Sequence, residues 1–376
     1  MIYFDNAATT AASEKTASTL AYYAREKFFN PSARYRKGIE VKNDLESARR
    51  KLLILLRGEG NIIFTAGGTE SDNLAMFGTR KRRGAEIIIS AAEHSAIYAS
   101  AMELKQQGYN ILICPTDRAG RVDEAEFSRL VSINTALISI LHINNETGAI
   151  NDIGKLCHIA KSINPKVVFH SDGVQAVGKI TVNLQAMGVD LYSISAHKIH
   201  GVKGAGALFV KKGVGLAPRL FGGGQEGGLR SSTENTGGII SLANAAEDCI
   251  SNLTARTQRV AQIKEYLLGT LSQIDGFLPI SDENSSYFIL TFSLPKVRGE
   301  VMQHALEKRD MLIGTGSACS SGKAEKRIAD ALMLQDSYRD GIVRLSFSGE
   351  NTLDEAKVFA EEFIKIYEEL EKYGGK

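Results

Sequence analysis

A chain of 376 residues, 43% hydrophobic and 23% charged, has an ordinary globular composition and length enough for about two to three domains. Its net charge of +2 provides no strong field to favour nucleic acid or a membrane surface. No apolar run approaches the roughly 18 residues of a membrane span, and the opening MIYFDNAATT lacks the basic start and apolar stretch of a secretory signal.

From about residue 60 to 212, short β-branched runs alternate with helical patterns. NIIF precedes ESDNLAMFG, and EIIIS precedes SAIYASAMELKQQG. NILIC follows, then ALISILHI before DIGKLCHIAKSI, then VVFHSD, DLYSISA and GALFV. This order predicts an α/β fold with a mainly parallel seven-stranded sheet covered by helices on both faces. The one basic cluster, Arg80-Lys81-Arg82-Arg83, falls between a helix and a strand and reads as a solvated turn rather than a docking patch. From about residue 255 the texture changes. ARTQRVAQIKEYLLGTLSQI, YFILTFSL, GEVMQHALEKR, IVRLSFS and TLDEAKVFAEEFIKIYEELEKYG read as helix, strand, helix, strand, helix. They predict a smaller α+β domain. No Pro/Gly linker precedes it, so the boundary is expected within a long helix.

The cysteines are Cys114, Cys157, Cys249 and Cys319. They form no CxxC pair and no zinc spacing, so neither a metal site nor a disulfide framework is expected, which points to a reducing cytoplasm. Cys157 and His158 are adjacent on a helical pattern, where their side chains diverge. Cys319 is different. It sits in IGTGSACSSGK, among small residues that offer a thiol little to pack against. Locally, a reactive loop sulfur and a packed cysteine both stay open.

Ligands of open α/β sheets bind beyond the carboxyl ends of the strands. After NIIFT comes Ala66-Gly67-Gly68-Thr69-Glu70, a helix start suited to phosphate or simply to capping. After EIIIS comes Glu93-His94, and after ILHI Asn144-Asn145-Glu146. After VVFHS come Asp172 and Gln175, and after LYSIS come Ala196, His197 and Lys198. Each alone fits a cap or turn, but five strand ends deliver such groups to one edge. A lysine amine can hold an aldehyde cofactor, and an aspartate can pair with a pyridinium nitrogen. An imidazole can stack and shuttle protons, and a glycine-threonine helix start can hold a phosphate. These are the needs of pyridoxal 5'-phosphate (PLP).

The motifs YFDNAATT, NPSARYRKG, FTAGGTESDNLA, EHSAI, HINNETGAI, HSDGVQAVGK, SAHKIHGVKGAGALFV, GGGQEGGLRSSTEN, GTGSACSSG and VRLSFS follow one another in register. Together they resemble the cysteine desulfurase family, class-V aminotransferases of PLP fold type I, over about residues 3–350. The resemblance implies a large PLP-binding domain over 15–255. Residues 1–14 and 256–376 would form the small domain carrying the Cys319 loop. It implies that Lys198 carries PLP, Asp172 binds the ring nitrogen, Gln175 binds the ring oxygen and His94 stacks on the ring as acid and base. Gly68, Thr69, Ser195 and His197 would hold the phosphate, and Thr233 would reach the phosphate of the other subunit of a homodimer. Asn145 and Arg344 would hold the substrate carboxylate.

The implied reaction takes sulfur from L-cysteine, leaving L-alanine and a persulfide on Cys319. A sulfur-acceptor protein of iron–sulfur cluster assembly or thiolation pathways would then receive it, with no membrane or stable nucleic-acid partner. Lys323, Lys326 and Arg327 either favour the Cys319 thiolate or form a solvated face. A selenocysteine lyase or another PLP-dependent C–S lyase is the alternative on the same site. Ala33, Tyr35, Gly227, Ser232 and the stretch KAEKRIADAL after Cys319 depart from the family's usual residues.

Overall fold

A computed structural model describes residues 1–315 and 323–372; Cys319 lies outside the described residues. The described strands are β1 (Ile2–Phe4), β2 (Gly60–Thr65), β3 (Glu86–Ser90), β4 (Asn110–Cys114), β5 (Thr135–Leu141) and β6 (Val168–Asp172). After them come β7 (Leu191–Ser195), β8 (Gly206–Lys211), β9 (Leu278–Pro279), β10 (Ile289–Ser293), β11 (Met311–Ile313) and β12 (Ile342–Ser346).

Seven of them form one sheet in the order β2-β8-β7-β6-β5-β3-β4. β8 is antiparallel to both of its neighbours, and the other pairs are parallel. The seven apolar runs of the sequence are these seven strands, and the fold is α/β as expected. Ile88, Ile138, Phe169 and Ile194 on the strands pack with Leu52, Leu156 and Leu242 from helices. Ile87, Ile89 and Leu137 face a separate cluster with Ile97 and Leu104. The sheet is therefore dry on both faces, which is why its strands read as apolar runs rather than alternating ones.

A second core gathers Phe4, Val260, Leu267, Leu290, Phe292, Val343, Leu345, Phe359 and Phe363. Phe4 makes edge contacts with the rings of Phe347 and Phe359 at 5.2 Å between centroids. β1 pairs in parallel with β11, so the first residues of the chain are tied to its last quarter. The helices Thr236–Ser251 and Leu253–Leu271 meet at Asn252 between the two cores. Among the described residues no helix is long and apolar enough to cross a membrane.

In the basic cluster, Arg80, Arg82 and Arg83 are exposed. Lys81 is not simply solvated: it donates to the carbonyls of Met76 and Thr79 and lies over the ring of Tyr109.

Two glycines allow the sheet edge to carry chemistry. At Gly206 a Cβ would come within 2.6 Å of Gly67 Cα, so β8 lets the turn after β2 pass close by. At Gly173, next to Asp172, a Cβ would stand 1.9 Å from Tyr192 Cε1. Tyr192 cannot swing away, because it is fully buried and its hydroxyl is 2.7 Å from His142 Nδ1. Gly173→Ala is expected to cost about 1–3 kcal/mol, the usual range for overpacking a tight core. Urea unfolding checks this, and a midpoint equal to wild type would show that the contact yields.

Candidate active site

One cavity of about 250 Å³ opens at the carboxyl ends of the parallel strands, lined in part by Gly68, Thr69, His94, Asn145, Asp172, Gln175, Ser195, His197, Lys198 and Arg344. These are ten of the twelve residues singled out from the sequence. The other two are not among its lining residues: Thr233 is exposed on the segment before the helix Thr236–Ser251, and Cys319 lies outside the described residues.

Lys198 follows β7 on a short 3-10 turn. Its Nζ donates to the carbonyls of Ala7 and Ala8 at 2.6 and 2.7 Å. The same N-terminal segment is stitched to this turn elsewhere: Thr10 N–H donates to the His197 carbonyl and His200 N–H donates to Thr10 Oγ1. Gln175 Nε2 also donates to the Ala7 carbonyl, and the buried Lys179 donates to Gln175 Oε1. The stretch YFDNAATT thus reaches Lys198 and Gln175 through its Ala7 and Ala8 carbonyls.

Asp172 ends β6 and is buried; its Oδ1 accepts from Val174 N–H at 2.9 Å. Burial raises its pKa, while that same hydrogen bond and Lys198 pull it back toward the anion. His94 caps the helix Ser95–Gln106, with Nδ1 accepting from Ala96 N–H at 3.1 Å. That bond makes Nδ1 the acceptor and leaves the proton on Nε2. Burial holds the imidazole pKa below its ordinary value, so the ring is neutral at pH 7.

The helix Gly68–Gly78 points its N-terminus into the cavity. Beside it, Ser195 is buried with an Oγ that has no hydrogen-bond partner among the described residues. Free amides, a helix dipole and an orphaned hydroxyl together fit a phosphate. His197 is neutral, its pKa lowered by burial to about 4, with Nδ1 3.1 Å from Thr9 Oγ1. In the same cavity, Asp172 fits a ring nitrogen and Lys198 an aldehyde carbon. The residues present therefore fit PLP as a set.

Arg344, on β12, is buried and committed. It donates to Asp5 Oδ1 at 2.8 Å, to Glu146 Oε2 at 3.2 Å and to the Asn145 carbonyl at 3.1 Å. Asn145 Nδ2 also donates to Glu146 Oε1, at 2.6 Å. Both expected carboxylate binders thus already hold a carboxylate, that of Glu146. Burial raises the pKa of Glu146 and the Arg344 charge opposes that rise. Arg344 also exchanges backbone hydrogen bonds with Gly314, where the Cys319 segment begins.

The sequence reading passed over Asp72 and gave Glu93 and Glu146, which it placed at strand ends, no role. Asp72 and Glu93 are buried at its wall, and Glu146 joins the Arg344 pair. Arg327 is not part of a solvated face. Its guanidinium donates to the carbonyls of Ala91 and Glu93, both at 2.7 Å, and stacks 4.4 Å from the Tyr98 ring centroid.

The profile of the family described as aminotransferase class-V matches residues 2–359. A relative from Lactobacillus delbrueckii subsp. bulgaricus, named NifS/IcsS protein homolog, is 38% identical over 99% of this chain and 98% of its own. One from Dictyoglomus turgidum, named cysteine desulfurase IscS, is 35% identical over 98% and 95%. Among solved structures, a NifS-like protein superposes with a TM-score of 0.91 at 32% identity, covering 98% of this chain and 99% of that one. Another, described as SspA in complex with cysteine, has a TM-score of 0.80 at 27% identity over 92% and 99%.

Proposed function

Because this chain belongs to the class-V aminotransferase family, we propose that it is a cysteine desulfurase that moves sulfur from L-cysteine to Cys319. The observation that carries the reading is one cavity holding Lys198, Asp172, His94 and the amide-and-Ser195 phosphate cradle together. The reaction balances without an outside oxidant. The Cβ–S bond of L-cysteine breaks, an S–S bond forms on Cys319, and Cβ gains a hydrogen to give L-alanine.

The cofactor would be PLP, held by Lys198, Asp172, Gln175, Gly68, Thr69, Ser195 and His197. When bound it supplies an electron sink that makes the substrate Cα proton acidic and the Cβ–S bond labile. The residues of the chain do the rest. The Ala7 and Ala8 carbonyls aim the Lys198 amine, which removes and returns the proton at Cα. Burial raises the Asp172 pKa, and the Val174 N–H and Lys198 favour its anion. His94 offers a proton on Nε2. Arg344 and Asn145 bind the substrate carboxylate in exchange for that of Glu146. The Cys319 thiolate receives the sulfur. Cys114, Cys157 and Cys249 are buried, and burial raises their thiol pKa values, to about 12 for Cys114 and about 11 for Cys157. They are packing residues and poor nucleophiles.

The proposal extends to a cytoplasmic homodimer in which exposed Thr233 reaches the partner's phosphate site. It also includes a sulfur-acceptor protein that discharges the persulfide. The domains are 15–255 and, together, 1–14 with 256–376, a division supported by the two separate cores.

Dialysis against a carbonyl reagent tests the function. L-alanine formation from L-cysteine should vanish with the cofactor and return on adding PLP; unchanged turnover would refute the reading. A second expected result concerns Arg344. Lysine cannot reproduce the guanidinium fork, so Arg344→Lys should raise KM for L-cysteine about tenfold or more, with a smaller fall in kcat. Steady-state kinetics measure the split, and an unchanged KM would remove Arg344 from carboxylate binding.

A further inference from the structure

Asp72 lies on the helix Gly68–Gly78 and lines the cavity, yet it is 1% exposed and its Oδ1 has no hydrogen-bond partner among the described residues. Carboxylate and imidazole atoms of Asp72, Asp172 and His94 all lie within 4.8 Å of one another. Behind Asp72 runs a line of buried polar side chains on one face of the sheet. Ser139 on β5 pairs with His170 on β6, and Ser193 on β7 pairs with Asp172. His170 is completely buried, with Nδ1 2.8 Å from Ser139 Oγ and Nε2 3.0 Å from Ser193 Oγ.

We propose that Asp72 is a positioning residue: a neutral acid, fixed by the Ser139–His170–Ser193 line, that presents its proton to the Asp172 carboxylate. Two carboxyl groups this close in a dry site do not both ionise. The Lys198 charge favours Asp172 as the ionised one, whereas burial and the neighbouring Asp172 carboxylate act against ionisation of Asp72. His170 adds no charge, because burial pushes its pKa down to about 3. With the Ser193 hydroxyl turned toward the Asp72 carboxyl, an influence that favours the Asp72 anion but is smaller than burial and the Asp172 charge, Ser193 oxygen takes the His170 Nε2 proton and Nδ1 accepts from Ser139. The chain of donors then runs in one direction and ends at Asp172. A proton held there favours the Asp172 anion, the form needed to pair with a ring nitrogen, so the inference rests on the PLP reading above.

The experiment compares wild type, Asp72→Asn and Asp72→Leu. In the cofactor-free protein at neutral pH, the infrared difference between wild type and Asp72→Asn should show loss of a protonated-carboxyl C=O stretch. Loss of a carboxylate stretch instead would overturn the proposal, whether or not the protein uses PLP. In the PLP-loaded protein, cofactor retention is followed by absorbance as pH falls. Asp72→Leu removes the donor, so the acid-side loss should begin about one pH unit higher; Asp72→Asn keeps a donor and should stay with wild type. An anionic Asp72 predicts the reverse, both substitutions moving the loss to lower pH. Asp72→Asn decides between the two even if Asp72→Leu does not fold. A wild type that takes up no PLP would fail the functional reading and leave the infrared result to judge Asp72.

Discussion

Lys198→Ala is expected to lower L-alanine formation by about 10⁴-fold or more and to release the cofactor during gel filtration. Two losses combine in one side chain. The amine that would hold PLP is gone, and so is the base for the substrate Cα proton, a role that alone contributes about 10²–10⁴-fold. Among the described residues lining the cavity, no second lysine stands at that spot. Lys179 is the nearby buried lysine, but it already donates to Gln175 Oε1. Its pKa, lowered by burial to about 7, leaves it only partly charged at neutral pH. Borohydride treatment of wild type should fix the pyridoxyl group to the peptide containing Lys198, and the variant should show no such label. A Lys198→Ala protein within tenfold of wild-type turnover would exclude Lys198 from the chemistry.

Cys319→Ser is expected to retain the visible cofactor band, since Lys198, Asp172 and Ser195 are untouched. It should lose L-alanine and persulfide formation from L-cysteine by about 10³-fold or more, because a serine oxygen neither ionises nor accepts sulfur as a thiolate does. Cys114→Ser, Cys157→Ser and Cys249→Ser are the controls. Each places a hydroxyl in a buried position and costs stability of about 1–3 kcal/mol, but leaves the folded fraction active. Sustained L-alanine release by Cys319→Ser from L-selenocysteine alone would favour a lyase acting on selenium.

The sheet was legible because both of its faces are buried. A β-branched run such as EIIIS or ALISILHI has no other use in a chain of this composition. The cavity was legible to the extent that it is made of side chains at strand ends: His94, Asp172 and Lys198 each stand just past an apolar run. What the sequence hid falls into three kinds. The carbonyls of Ala7 and Ala8 carry no residue signal, yet they hold the Lys198 amine. Asp72 and Arg327 sit on helices, where a charged residue reads as a solvated position, and only the packing of those helices shows them at the cavity wall. The Asp5–Arg344–Glu146 cluster joins residues from the start, the middle and the end of the chain, a contact with no local pattern to announce it.

The central claim is that sulfur leaves L-cysteine as a persulfide on Cys319. The most direct test is one turnover without reductant, with L-alanine quantified and the peptide containing Cys319 weighed by mass spectrometry. The account predicts one sulfur added to that peptide for each L-alanine formed, and none on peptides containing Cys114, Cys157 or Cys249. L-alanine formed with free sulfide and an unmodified Cys319 peptide would contradict it.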